Sequence, residues 1–289
     1  MIKAPDASQS GTFCIDGQRS VARLGYGAMR LSGPGIWGPP RDRDEAVRVL
    51  RRAVALGVTF IDTADSYGPY VSEELIFKAL YPYPADLVIA TKAGLVRTGP
   101  DEWYPVGRPE YLRQEVEMSL RRLHLERIEL FQLHRIDPEV PFEDQIAVLA
   151  DLRRAGKIAH IGLSNVSIEQ ILEAQLIAPI ATVQNRYNLT DRESEQVVNF
   201  CSDEGLGFIP WYPVAAGALR EAHSVLAELA QQWGATPNQL ALAWLLRRSP
   251  VMLPIPGTSS VGHLEENLAA ASIHLSDAQF EALTHETQH

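Results

Sequence analysis

The sequence predicts an α/β fold: a (β/α)8 TIM barrel with an N-terminal β-hairpin and an extra helix at its C-terminal end. Three observations carry that expectation. Short apolar runs alternate eight times with longer segments of helical periodicity. Nothing in the 289 residues reads as a linker or low-complexity tract, so residues 1–289 are expected to form one barrel domain. The Gly-rich turn that opens a doubly wound sheet is absent, because Gly25-Tyr26-Gly27 runs into Arg30 without a third glycine.

The elements follow in order. Residues 12–15 and 20–23 flank Asp16-Gly17, a hairpin turn pair. Residues 24–29 make the first strand. Residues 43–56 place Ala46, Val47, Leu50, Ala53 and Val54 on one helical face, and Gly57 caps the end. Strand 58–61 leads to helix 72–80, with Ser72 as its expected start, and strand 87–91 leads to helix 110–123. Further pairs are 128–133 with 142–155, 158–163 with 167–177, and 181–183 with 191–202. Strand 207–211 precedes two helices, 222–233 and 237–247; strand 251–255 precedes helix 261–270. A last helix begins near Ser276, an N-cap residue type.

Composition narrows the function. A net charge of −10 argues against nucleic-acid binding, which needs a basic face. No apolar run reaches the ~20 residues of a membrane span, and no signal-peptide pattern opens the chain. A cytoplasmic protein is expected. Cys14 and Cys201 form no metal or redox motif and are expected to be buried, inert thiols.

In such a barrel the chemistry lies at the C-terminal ends of the strands. Strand two ends at Asp62, with Tyr67 in its loop; strand three ends at Lys92 and strand four at His134. Singly, each is an ordinary turn or cap residue. Jointly, they face one another across the barrel mouth. An ammonium beside a phenol favours phenolate, so Lys92, held by Asp62, is expected to lower the Tyr67 pKa. His134 can orient a substrate oxygen. The set can protonate a carbonyl oxygen while hydride arrives from a bound cofactor.

These residues sit in a larger pattern. Gly57-Val58-Thr59-Phe60-Ile61-Asp62-Thr63-Ala64-Asp65-Ser66-Tyr67-Gly68, Thr91-Lys92, Gln132-Leu133-His134-Arg135, Gly162-Leu163-Ser164-Asn165, Gln184-Asn185-Arg186-Tyr187-Asn188 and Ile255-Pro256-Gly257-Thr258-Ser259 occur in this order. The pattern resembles the aldo-keto reductase superfamily over residues 20–285. Arg23–Met29 and Gly38–Arg43 are more locally similar to its bacterial pyridoxal reductase-like branch. The resemblance implies an NADPH-dependent reduction of a small aldehyde or ketone. It implies a catalytic tetrad of Asp62, Tyr67, Lys92 and His134, with Tyr67 the general acid. Ser164, Asn165 and Gln184 would bond the nicotinamide amide, and Trp211 would stack on its ring. Tyr212, Val214 and Gly217 would follow the pyrophosphate. Thr258, Ser259, Ser260, His263, Glu266 and Asn267 would surround the adenosine end. Ser259 and Ser260 stand where many members carry Arg or Lys for the 2′-phosphate, which keeps NADH as the alternative cofactor.

Aromatics crowd the loops above the mouth. Trp37, Tyr70, Trp103 and Tyr104 are expected at the substrate, favouring a compact aromatic aldehyde such as pyridoxal. A metal-dependent hydrolase fails on ligand count, since one histidine of eight ends a strand, and no metal is expected. The rival of another class is a regulatory subunit that binds nucleotide without turnover. The sequence leaves the oligomeric state open.

Overall fold

The computed structural model describes residues 4–214 and 225–286. Thr12–Ile15 (β1) and Arg19–Ala22 (β2) pair antiparallel, with Asp16 and Gly17 both at positive φ in the turn. A parallel sheet follows. It begins with Tyr26–Gly27 (β3), Phe60–Asp62 (β4) and Val88–Ala93 (β5). A small antiparallel pair, Leu95–Val96 (β6) and Tyr104–Pro105 (β7), lies in the loop after β5. Ile128–Leu133 (β8), Ile158–Ser164 (β9), Ile180–Gln184 (β10) and Gly207–Phe208 (β11) continue the sheet. Its order is β11-β10-β9-β8-β5-β4-β3.

The helices are Arg43–Ala55 (α1), Val71–Leu80 (α2), Pro109–Leu123 (α3), Phe142–Arg154 (α4), Ile168–Gln175 (α5) and Glu195–Glu204 (α6). After the undescribed 215–224 come Val225–Gln232 (α7), Pro237–Arg248 (α8), Val261–Ala269 (α9) and Asp277–Glu286 (α10). Ser276 begins α10 as expected, and it exchanges hydrogen bonds with Gln279. No described helix is long and apolar enough to cross a membrane.

Residues 251–255, expected as the eighth strand, close the barrel together with Pro256 as an irregular extended segment. Leu253 N–H donates to Phe208, and the carbonyls of Pro254 and Pro256 accept from Gly25 and Gly27. Proline has no N–H to return, so the ladder toward β3 runs in one direction only. A Cβ on Gly27 would fall 2.5 Å from the Ile255 carbonyl oxygen, so this closure needs glycine.

Strand alternation sorts the core into two layers. Ile61, Ile89, Phe131, Leu163 and Val183 face outward into the large cluster shared with the helices. Phe60, Val88, Ala90, Leu130, Ile209, Leu253 and Ile255 face inward, where Ile15 and Val21 of the hairpin join them. The hairpin therefore plugs the N-terminal end of the barrel. Continuing the inward register two residues at a time gives Asp62, Lys92, Gln132, His134, Ser164, Gln184 and Trp211 at the opposite mouth.

Some expectations shift. The first strand is short because residues 28–31 turn into a 3-10 helix. Ser72 does not cap α2: it is buried, accepts from Thr63 and donates to the Ala28 carbonyl, while Tyr70 holds the N-cap position at φ 70°. The helix expected from 191 starts at Glu195, because Asn188 Oδ1 ties Thr190 N and Asp191 N into a turn. Cys201 is buried as expected, but Cys14 is exposed on the plug hairpin.

Candidate active site

Four side chains converge at the C-terminal mouth. Lys92 is fully buried, and its Nζ donates to Asp62 Oδ2 at 2.6 Å and to the Thr63 carbonyl at 2.8 Å. The Tyr67 hydroxyl lies 3.4 Å from the same nitrogen. Asp62 Oδ1 accepts from Gln132 Nε2 at 3.1 Å and from Gln184 Nε2 at 2.9 Å. Both carboxylate oxygens are thus engaged, and the ammonium is aimed. The His134 ring meets the Tyr67 ring edge-on at 5.8 Å, with Ser66 Oγ 3.3 Å from its Nδ1.

Burial sets the electrostatics. It pushes the Tyr67 phenol above its ordinary value, and the attraction of Lys92 offsets only part of that rise. The expected net lowering does not occur, because the site is drier than a strand end read from sequence. For Lys92 the balance reverses: burial pulls downward, but Asp62 and Tyr67 outweigh it and the ammonium is held. His134 is driven well below the usual imidazole range, first by burial and then by the charges of Lys92, Arg135 and Arg97.

The loops around these groups are tied together by Arg97. Its guanidinium donates to the carbonyls of Gly35, Ile36, Ser66, Gly99 and Glu102 and stacks on Trp103 at 3.6 Å. On the outer side of the sheet, Thr91 donates to Glu73 at 2.6 Å, and Glu73 pairs with Arg122 at 2.6 Å. The two strand-end neighbours Thr91 and Lys92 are thereby anchored on opposite faces of β5.

Above Tyr67 and His134 lies a cavity of about 510 Å³, walled by Trp103, Trp211 and Tyr212, with Ser164, Asn165 and Gln184 along one side. Asn165 Oδ1 accepts from Trp211 Nε1 at 3.1 Å, and its Nδ2 donates to Ser164. A narrow cleft leads away past Tyr67, Trp211, Val214, Arg30 and Gly257. A third hollow of about 500 Å³ shares Arg30 and Gly257 and reaches Arg41, Glu45, Thr258 and Ser259. Neighbouring hollows share lining residues, and together they run from an aromatic platform to a polar far end. They suit an extended dinucleotide with a flat ring at one end and phosphates between: Trp211 offers a face, Ser164 and Gln184 offer polar partners, and Arg30 and Arg41 offer guanidiniums. Neither arginine makes a hydrogen bond or ion pair among the described residues.

Other expected residues lie outside these hollows. Ser260 is the N-cap of α9, His263 is exposed and Asn267 is buried. Glu266 accepts from Thr236 Oγ1 and, through its carbonyl, from Gln239, which spends it on the start of α8. Gly217 lies outside the described residues. Of the four loop aromatics, Trp103 lines the cavity. Tyr70 instead lies under Arg122 at 4.1 Å, Trp37 sits 5.9 Å from Arg97, and Tyr104 is exposed on β7. Sequence reasoning assigned no role to Gln132, Ser66 or Arg30. Gln132 had a signal, since it is two residues before His134 and so shares its inward face. Ser66 and Arg30 had none. Among the described residues, no three His, Cys, Asp or Glu side chains group so as to hold a metal ion.

The chain is similar to known proteins along most of its length. Residues 23–286 match the model of the aldo/keto reductase family. An uncharacterized oxidoreductase of Schizosaccharomyces pombe is 52% identical over 98% of this chain and 92% of its own. Pyridoxine 4-dehydrogenase of Escherichia coli is 46% identical over 93% of this chain and 95% of its own. The glycerol dehydrogenase of Gluconobacter oxydans superposes with a TM-score of 0.86 at 28% identity, covering 95% and 94% of the two chains. A Klebsiella pneumoniae aldo-keto reductase solved with NADPH gives 0.80 at 28% identity, covering 97% and 94%. This chain belongs to the aldo/keto reductase family and is an NAD(P)H-dependent oxidoreductase with an α/β-barrel fold.

Proposed function

We propose that the protein, a single barrel domain acting in the cytoplasm, uses NADPH to reduce pyridoxal or a similarly compact aromatic aldehyde to its alcohol, with Tyr67 as general acid. The observation that carries the reading is the Tyr67–Lys92–Asp62 chain at the floor of a cavity walled by Trp103 and Trp211. A nicotinamide held there would supply hydride to the carbonyl carbon. Tyr67, neutral because burial raises its pKa, delivers the proton to the carbonyl oxygen. Lys92 stabilises the phenolate left behind, and Asp62, held by Gln132 and Gln184, keeps the ammonium beside it. We assign Ser66 as the donor to His134 Nδ1, which leaves the proton on Nε2 to orient the substrate oxygen. Ser164 and Gln184 would hold the amide of the nicotinamide, and Trp211 would offer its ring a face.

The pyridoxal assignment is supported by the 46% identity to a pyridoxine 4-dehydrogenase, the same conversion in reverse. NADPH is supported by the cofactor of the Klebsiella neighbour. It is also supported by Arg30 and Arg41 beside Ser259, cations that the 259–267 stretch itself lacks. The two free cysteines accord with a reducing compartment.

The test is a steady-state panel of pyridoxal, pyridoxal phosphate and a short aliphatic aldehyde, with NADPH and with NADH. Pyridoxal with NADPH is expected to give the highest kcat/KM. Tyr67→Phe should lose roughly 10²–10⁴-fold in kcat while still binding NADPH. A win for the aliphatic aldehyde removes the pyridoxal assignment. Near-normal turnover by Tyr67→Phe removes the acid. Tight NADPH binding without turnover on any aldehyde favours a regulatory role.

A further inference from the structure

Arg135 has no part in the proton-transfer scheme, yet it lines the substrate cavity beside His134, Trp103 and Trp211. Arg30 faces the cleft that leads away from the cavity, and three other cations near the mouth are committed. Lys92 is paired with Asp62. Arg97 gives its N–H groups to five loop carbonyls. Arg186 pairs with Asp191 at 2.7 Å. The acid closest in sequence, Asp137, is spent as well: its two oxygens accept the backbone N–H groups of Gly107 and Glu139. Arg135 makes no hydrogen bond or ion pair among the described residues. Its charge nonetheless reaches the reacting groups, being one of those that hold His134 neutral.

An exposed, uncommitted guanidinium at the rim of an aromatic-walled cavity selects for charge. We propose that Arg135 pairs with an anionic oxygen on the substrate, so that the preferred substrate is an aromatic aldehyde bearing a single negative charge as carboxylate or phenolate. This rests on the reductase reading above. The guanidinium fork matches a carboxylate in the plane of the ring and can donate to the single oxygen of a phenolate, while Trp103 and Trp211 provide faces for the ring itself. One guanidinium balances one charge, so a doubly charged phosphate ester is left half-paired.

The experiment compares 4-carboxybenzaldehyde with its methyl ester, which shares the ring and the reacting carbonyl. In the wild type, kcat/KM for the acid should exceed that for the ester by about fivefold at low ionic strength, the scale of a part-exposed ion pair. The ratio should approach one in Arg135→Gln, invert in Arg135→Glu, and shrink in about 1 M salt, where the screening length is about 3 Å. Equal rates in the wild type, or an unchanged ratio in Arg135→Gln, overturns the proposal. If neither aldehyde oxidises NADPH, the reductase reading fails instead. Quenching of tryptophan fluorescence by benzoate and by benzamide then decides the role of Arg135 without turnover. Tighter benzoate binding that disappears in Arg135→Gln supports it, and equal binding of the two overturns it.

Discussion

Burial acts on Tyr67 and His134 in opposite senses and leaves both neutral, one pushed up and the other pushed down. The pairing of Lys92 with Asp62 was legible from their strand-end positions. The direction of the Tyr67 shift was not, because sequence names the neighbouring charge but not the depth of the pocket. The His134 shift also has a consequence for stability. In the unfolded chain this imidazole takes a proton near its ordinary value of 6.5, while the folded protein refuses it until the pH is much lower. Between those limits the unfolded state binds more protons, so stability falls as the pH drops below about 6.5. Thermal melts from about pH 8 to about pH 5 should show that decline, and His134→Phe should flatten it. A slope that survives the substitution would place the proton uptake elsewhere.

Among elements, α2 and α3 are joined to β5 by a buried polar cluster that periodicity could not reveal. Helical spacing placed both helices, but it says nothing of the partners of Glu73 and Glu115. Glu73 is fully buried between Thr91 and Arg122, and Arg122 also reaches Glu115 at 3.4 Å. Burial raises the Glu115 carboxyl even against the pull of that arginine. Asp65, on the loop that carries Tyr67, is buried nearby and accepts from Tyr111 at 3.2 Å. Removing the single cation would strand buried carboxylates. Arg122→Met should therefore destabilise by about 3–5 kcal/mol, and adding Glu73→Gln should cost less than the sum of the two changes. Urea denaturation of the wild type, both single variants and the double variant measures this coupling. Strict additivity would show that the cluster is not acting as a unit.

Across the whole molecule, the alternation of strands and helices was enough to imply a barrel, because eight such units have few other ways to bury both faces of a parallel sheet. How its two ends are finished was hidden. The seam at residues 251–256 is disguised by Pro254 and Pro256, which leave an apolar run without a regular ladder. The hairpin was visible, but its position was not: Ile15 and Val21 close the floor against Phe60, Val88 and Leu130, and Asp16 reaches His160 at 3.2 Å. Stability and catalysis are thus built at opposite ends of the same strands. Ile15→Ala should cost about 2–5 kcal/mol of unfolding free energy and leave KM for cofactor and aldehyde unchanged. Chemical denaturation and steady-state kinetics on the one variant check both halves; a changed KM would mean that the floor and the mouth are coupled.

The five carbonyls gathered by Arg97 come from three loops that are distant in sequence. Loops left independent would each lose conformational freedom when a ligand arrived, and that loss would be subtracted from the affinity. Here the ordering is completed during folding, by a guanidinium fixed against the Trp103 ring. A small substrate with few atoms to contribute can then spend nearly all of its contact energy on binding and alignment, rather than on assembling the wall it binds against.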